Sequence, residues 1–144
     1  MRFSRLFYRT HFTIVGYVLC LCSNITSCLL EEPVEINEVG KEKDTKIISL
    51  NGRMDAISAP DFEEKMGQWL NEGETSFIID LVELGYISSA GLRSILVIAK
   101  ELKSKDGKLM CAAPRDEVEK IFKISGFSSM IPTYESVQAA LEHI

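Results

Sequence analysis

Short apolar runs rich in β-branched residues alternate with segments of helical periodicity from residue 35 to the end of the chain. The clearest run is Ser76–Leu81, whose four apolar positions predict a central strand covered on both faces. Further strands are predicted at residues 35–39, 46–50 and 108–112, with a very short one at residues 130–132. Because strands alternate with helices, the sequence predicts an α/β domain with a mostly parallel or mixed sheet.

Four helices are predicted among these strands. The first begins with Ser58 as its N-cap and Pro60 in its first turn, since both residue types favour helix starts. The others are predicted at residues 91–105, 114–125 and 135–144. In the helix at residues 91–105, Arg93, Ser94 and Lys100 are expected to point outward. Its N-terminal half is therefore the expected partner surface.

The first thirty residues differ in composition from the rest of the chain. They contain three arginines and no acidic residue, then an apolar run at residues 12–22 and a polar stretch. This is the order of a secretory signal, and Ile25–Cys28 resembles the lipobox of bacterial lipoproteins, with Cys28 as the lipidated residue. The alternatives are an uncleaved membrane anchor and a protein start just downstream. We therefore divide the chain into residues 1–30, a signal-like leader or a mis-called start, and residues 31–144, one domain.

Charge and cysteine content limit the function of this domain. The chain has a net charge of −5, and setting aside the leader's three arginines leaves 13 basic and 21 acidic residues, a net charge of −8. Such a surface argues against nucleic acid as a partner, because phosphates bind basic faces. It permits a protein partner with a positive patch. Only Cys111 lies in the domain, so no internal disulfide is expected, and no Cys/His spacing predicts a metal site.

Two adjacent serines, Ser88 and Ser89, stand directly before the predicted helix at residues 91–105. The simplest explanation is that one of them caps the helix by accepting a hydrogen bond from a free amide group. The same position also suits a phosphoryl group, because the first turn offers unpaired N–H groups and the positive end of the helix dipole. Phosphorylation would add about −1.5 to −2 charges at neutral pH. The surface would change without unfolding the domain.

Several motifs occur in an order that resembles a known family. Asp80-Leu81 is followed by Tyr86–Arg93 (YISSAGLR), and Leu50–Ala56 (LNGRMDA) lies upstream. Gly107–Leu109 and Val118–Gly126 (VEKIFKISG) continue the pattern downstream. Together they resemble the STAS domain, as in anti-sigma factor antagonists, over essentially all of the chain beyond the leader. The resemblance implies an α/β fold with a mixed sheet of four to five strands and helices packed on one side.

The resemblance also implies the site residues. The phosphorylated serine of the family stands two residues before the glycine of the Gly-Leu pair, which is Ser89 here. Many members carry aspartate just before that serine, whereas this chain has Ser88, which stays the second candidate acceptor. The acidic residue of the earlier turn corresponds to Asp55. The expected partner-binding residues are Asp55, Ser88, Ala90, Gly91, Leu92 and Arg93.

The function implied is that of an anti-sigma factor antagonist that regulates sigma-factor-dependent transcription. When unphosphorylated, such a protein binds an anti-sigma factor with serine kinase activity, and phosphorylation at Ser89 releases it. A serine phosphatase resets the switch, and the ATP and Mg²⁺ belong to the kinase. This cycle requires the cytoplasm. The alternative is a non-switching STAS scaffold, membrane- or lipid-anchored if residues 1–30 are genuine.

Nothing in the sequence supports catalysis. His11 and His143 lie near opposite ends of the chain, so no Ser/His/acid set is apparent, and there is no glycine-rich phosphate loop near the serines. We therefore expect a binding module without a cofactor of its own, not an enzyme.

Overall fold

A computed structural model describes residues 34–144, so the leader and Cys28 lie outside the described residues. The strands are β1 (Glu35–Glu42), β2 (Thr45–Met54), β3 (Ser76–Asp80), β4 (Leu84–Ile87), β5 (Lys108–Ala112) and β6 (Thr133–Tyr134). The α-helices are α1 (Ala59–Asn71), α2 (Ser89–Ser104), α3 (Asp116–Ile124) and α4 (Val137–Leu141), with a 3₁₀ turn at Phe127–Ser129. Across this part of the chain, no helix combines the length and apolarity that crossing a membrane requires.

The strands form one mixed sheet, which confirms the predicted fold class. Its order is β1-β2-β3-β5-β6, and β4 pairs with the C-terminal part of β2. The β1–β2 pair is antiparallel, and the other pairs are parallel. The described region has six strands instead of the expected four to five. The short strand predicted at residues 130–132 begins later, at Thr133, because the chain at Met130 is still turned.

Strand β2 is longer than its apolar run predicted, and this length organises the site. Its first half pairs with β3, at residues 46–49. Near Gly52, which has a φ of 92°, the register shifts, and the strand continues to Met54 beside β4. Strand β4, which was not predicted, forms on this extension. Thus one bent strand joins the middle of the sheet to the start of α2.

Strand β3 lies between β2 and β5, so it is a central strand, as predicted. Phe77 and Ile79 pack in the larger core beneath α1, α2 and α3. Ile78 points to the opposite face, where it packs with Leu141 of α4. The expectation that the helices lie on one side therefore holds for three of them. The short helix α4 covers the other face, because Ile47, Ile78 and Met110 leave an apolar patch there.

Helix α2 differs from its prediction at Ser94. This residue was expected to point outward, but it is completely buried and its hydroxyl donates a hydrogen bond to Gly91 O at 2.7 Å. Arg93 and Lys100 are exposed as expected. A serine can be buried in a helix when its own backbone supplies the acceptor, because the hydroxyl is then satisfied without a distant partner.

The N-terminus of α2 packs closely against β2 at Gly91. A Cβ atom on Gly91 would lie 2.9 Å from Met54 Cγ and 3.0 Å from both Met54 O and Ile87 Cγ1. By contrast, Gly67 in α1 has open space around the same position. The two helical glycines therefore differ in function: Gly91 permits close packing, and Gly67 only lowers helix propensity.

We predict opposite stability effects for alanine at these two glycines. Gly91→Ala should lower the free energy of unfolding by about 1–3 kcal/mol, because Met54 and Ile87 must shift. Gly67→Ala should raise it by about 0.5–1 kcal/mol, since alanine favours the helix and meets no atom. Urea denaturation of the two variants measures both values. A stability gain for Gly91→Ala would contradict the packing described here.

Candidate functional site

The ends of β2 and β4 and the beginning of α2 meet at one end of the sheet. Met54 pairs with Ile87, and the N–H of Ser88 donates to Met54 O at 2.8 Å. Because Asp55 follows Met54 directly, the turn after β2 lies next to the two serines. The structure therefore brings together the two motifs on which the predicted site depends.

Ser88 is the N-cap of α2. Its backbone is extended, with φ −88° and ψ 169°, and its Oγ accepts a hydrogen bond from Gly91 N–H at 3.2 Å. The side chain is half-buried. Of the two capping alternatives that the sequence left open, the structure selects Ser88. Its hydroxyl is thus already engaged in holding the first turn.

Ser89 is the first residue of α2, and it is exposed. Since Ser88 occupies the Gly91 N–H, the donors of the first turn that remain available are the N–H groups of Ser89 and Ala90. The first turn contains no acidic residue that would repel an anion. A phosphoryl group on Ser89 would therefore sit at the positive end of the helix, where the fold tolerates negative charge.

Asp55 organises the turn between β2 and α1. Its Oδ1 accepts hydrogen bonds from the N–H groups of Ser58, at 3.1 Å, and Ile57, at 2.9 Å. These two bonds lower the pKa of the Asp55 carboxyl below its ordinary value of 3.8, and the bond from Ser58 N–H has the larger effect. The side chain is half-buried. Asp55 is therefore a structural residue of the turn that also holds a negative charge next to the serines.

Ser58 takes the N-cap position of α1, as expected, but its side chain makes no capping bond. The hydroxyl is buried and accepts a hydrogen bond from Asp55 N–H at 3.0 Å. It also donates toward Asp55 Oδ1 at 3.2 Å. Ser58 and Asp55 are thus joined by reciprocal hydrogen bonds that stabilise the turn beside α2.

The other predicted partner-binding residues divide by exposure. Arg93 is exposed, and Ala90 is half-buried. Gly91 and Leu92 are buried against the core, so their contribution to a surface is to set the position of α2. The exposed and half-buried members of the set can contact a partner directly without rearrangement of the fold.

Two exposed residues near the site, Ile57 and Tyr86, were not among the predicted site residues. Ile57, in the Asp55 turn, is 83% exposed, although isoleucine usually lies inside. Tyr86 is 37% exposed, and the Arg53 guanidinium lies 4.3 Å from the centroid of its ring. A cation over an aromatic face is a favourable contact that also holds both side chains in place. The signal that could have identified Ile57 is its position in a polar turn between two elements.

The described residues offer neither a metal site nor a reactive thiol. Within residues 34–144, no group of three His, Cys, Asp or Glu side chains is placed to hold a metal ion. Cys111 is buried in β5, and burial raises the pKa of its thiol to about 12. Because the thiolate is the reactive form, the thiol is inert in the folded domain.

Comparison with known proteins identifies the family. The family model described as STAS domain matches residues 37–140, and the chain therefore belongs to the STAS domain family. The sequence is 37% identical over 94 residues to a candidate anti-sigma factor antagonist, BtrV, of Bordetella bronchiseptica. That alignment covers 65% of this chain and 81% of the relative. The resemblance drawn from the motifs is thus confirmed.

Solved structures share the fold. A candidate anti-sigma factor antagonist of Thermotoga maritima superposes with a TM-score of 0.70 at 21% identity, covering 77% of this chain and 93% of that one. The phosphorylated form of the Bacillus cell fate determinant SpoIIAA superposes with a TM-score of 0.58, also at 21% identity. It covers 76% of this chain and 97% of SpoIIAA. At these identities, the likeness establishes the fold.

We predict that the charge of Asp55 makes stability depend on pH. Because the folded pKa of Asp55 lies below the ordinary 3.8, its stabilising contribution is complete above that pH and is lost as the pH falls through the folded pKa. Asp55→Asn keeps an acceptor oxygen but cannot ionise. The stability advantage of the wild type over Asp55→Asn should therefore shrink below about pH 4. Urea denaturation between pH 7 and 3 measures it, and a constant difference would contradict the prediction.

Proposed function

We propose that the protein is an anti-sigma factor antagonist that works by partner switching. The unphosphorylated domain binds an anti-sigma factor through the surface around Ser89, which frees a sigma factor for transcription. Phosphorylation of Ser89 weakens this complex. The proposal extends to this chain what the name of its Bordetella relative states of that protein.

One observation favours Ser89 over Ser88 as the phosphorylation site. The two adjacent hydroxyls differ, since that of Ser88 accepts the Gly91 N–H bond in a half-buried position and Ser89 is exposed. A kinase needs access to the hydroxyl that it modifies, and a capping hydroxyl is withdrawn from solvent by its own bond. The phosphorylated Bacillus SpoIIAA structure supports a phosphoryl group as compatible with this fold.

Phosphorylation acts on the surface through charge. Ser89 and Arg93 are both exposed and lie four residues apart on α2, so their side chains project from the same face. A phosphoryl group on Ser89 pairs with the Arg93 guanidinium and with the free N–H groups of the first turn. It thereby removes Arg93 from the partner and adds negative charge beside ionised Asp55. Both effects disfavour an acidic or apolar partner surface while leaving the core unchanged.

The partner supplies the remaining chemistry of the cycle. In this proposal the anti-sigma factor is itself a serine kinase, which brings ATP and Mg²⁺, and a serine phosphatase removes the phosphoryl group. Such a cycle operates in the cytoplasm, where ATP is available. If residues 1–30 prove to be a genuine leader, a non-switching STAS scaffold anchored through Cys28 becomes the alternative.

We predict that the cognate kinase modifies Ser89 alone. After incubation with the anti-sigma factor and ATP, mass spectrometry should place the phosphoryl group on Ser89 in the wild type and in Ser88→Ala. Ser89→Ala should bind the partner and remain unmodified, and Ser89→Asp should bind more weakly. Ser88→Ala should also lose about 1 kcal/mol of stability, because its cap is missing. Modification at neither serine would support the scaffold alternative.

We predict that Ile57 contributes apolar contact area to the same interface. Ile57→Ser should weaken binding of the unphosphorylated domain to its anti-sigma factor about tenfold, because an exposed isoleucine is a favourable anchor. The matched control is Ile124→Ser, since Ile124 is 87% exposed on α3. Isothermal titration should find the control unchanged. Equal affinities for Ile57→Ser and the wild type would show that Ile57 lies outside the interface, contrary to this prediction.

A further inference from the structure

The edge of the sheet beside β5 is incomplete. Strand β6 pairs only with the last two residues of β5. The N–H groups of Cys111 and Ala113 donate toward the β6 side at 2.9 Å, whereas Lys108 N–H donates to Thr75 on the β3 side at 2.8 Å. Backbone groups alternate in direction along a strand, so odd-numbered residues of β5 face β6. Leu109 therefore directs its N–H and C=O to the same edge.

Residues 34–144 place no strand opposite Leu109. If β6 were extended backwards, Ile131 would lie there, but the chain is turned at that point. Ile131 N–H donates to Phe127 O at 3.1 Å, and Met130 has a helical backbone with φ −102° and ψ −34°. Leu109 as a whole is buried, and its backbone edge has no paired strand within the described residues.

A groove of about 370 Å³ follows this open edge, from the last turns of α2 to His143. The basic side chains in its wall are Lys103, Lys108 and His143, the phenol of Tyr134 also lines it, and no carboxylate does. Neither lysine forms an ion pair within the described residues. Met130, which also lines the groove, is 57% exposed. A basic groove with an apolar wall is unusual on a domain with a net charge of −8.

We propose that this groove binds an extended, acidic segment of a partner protein. The segment adds a short strand to β5, with main-chain hydrogen bonds at Leu109. Its carboxylates lie near Lys103 and Lys108, and an apolar side chain packs against Met130. Charge complementarity selects an acidic segment, and the free strand edge selects an extended one.

A second copy of this chain fits the groove less well. The acidic edge strand β1 is the only strand of the described region that combines extended backbone with several glutamates. However, its register is interrupted by a bulge between Glu38 and Gly40, and Lys41 lies on the same strand. Bulges and lysines on an edge strand oppose pairing with another sheet. We therefore assign the groove to a different protein.

The groove is separate from the phosphorylation site. Lys103 lies about four turns after Ser89 on α2, which corresponds to about 20 Å along the helix axis. At that distance, exposed charges are largely screened in physiological salt. The domain thus has a second docking surface that stays available in both states of the switch.

The test uses the full chain and a fluorescent decapeptide in which glutamate alternates with valine and threonine. Fluorescence anisotropy should show saturable binding below about 100 µM that weakens with salt. A matched peptide with lysine in place of glutamate should not bind. Lys103→Glu/Lys108→Glu should weaken binding by at least about tenfold, whereas Lys65→Glu/Lys120→Glu, with the same change in net charge, should not. Ser89→Asp should bind like the wild type.

Hydrogen exchange measured by NMR supplies a readout that needs no variant. Addition of the acidic peptide should increase protection of the Leu109 amide, because that N–H becomes hydrogen-bonded. Equal binding of both peptides, no binding at about 1 mM, or unchanged Leu109 exchange would overturn the proposal. Concentration-dependent self-association that disappears in Lys103→Glu/Lys108→Glu would also overturn it, by placing a second copy in the groove.

Discussion

The close approach of α2 to the end of β2 is the constraint from which the site follows. It depends on Gly91, where a side chain would collide with Met54 and Ile87. The Ser88 N–H bond to Met54 O fixes the same junction from the backbone. Successive residues of a helix point in different directions, so this fixed start turns Ser88 inward as a cap and leaves Ser89 outward. The difference between two identical neighbouring side chains is therefore set by packing.

The sequence predicted those elements whose signals are local. The apolar run at β3 and the periodic segments at α1 and α2 needed no information from elsewhere in the chain. Strand β4 was missed because Leu84–Ile87 is short and contains glycine, and it forms only on the extension of β2 beyond Gly52. The side of the sheet that α4 covers was also beyond reach, because an apolar helix face fits either side of a sheet that is apolar on both.

The sequence predicted the type of site, but not the role of each residue in it. A serine before a helix indicates a cap, and the motif order indicated a STAS domain, which the family match confirms. The resemblance implied Ser89 as the acceptor and Ser88 as the second candidate, but the sequence does not show which of the two caps the helix, since that depends on which hydroxyl reaches Gly91 N–H. Ser94 was expected outside because its type is polar, yet its own helix satisfies it. Ile57 was not predicted as a site residue, although its position in a polar turn between two elements indicates exposure, and only the structure shows that it is 83% exposed.

The central claim is that charge on Ser89 alters what a partner contacts and leaves the fold intact. The most direct measurement compares the stoichiometrically phosphorylated domain with the unmodified one, in both urea denaturation and titration with the anti-sigma factor. We expect the free energy of unfolding to differ by less than about 1 kcal/mol, and the dissociation constant to rise at least about 100-fold. A loss of folding free energy as large as the loss of binding free energy would show that phosphorylation unfolds the site, contrary to this account.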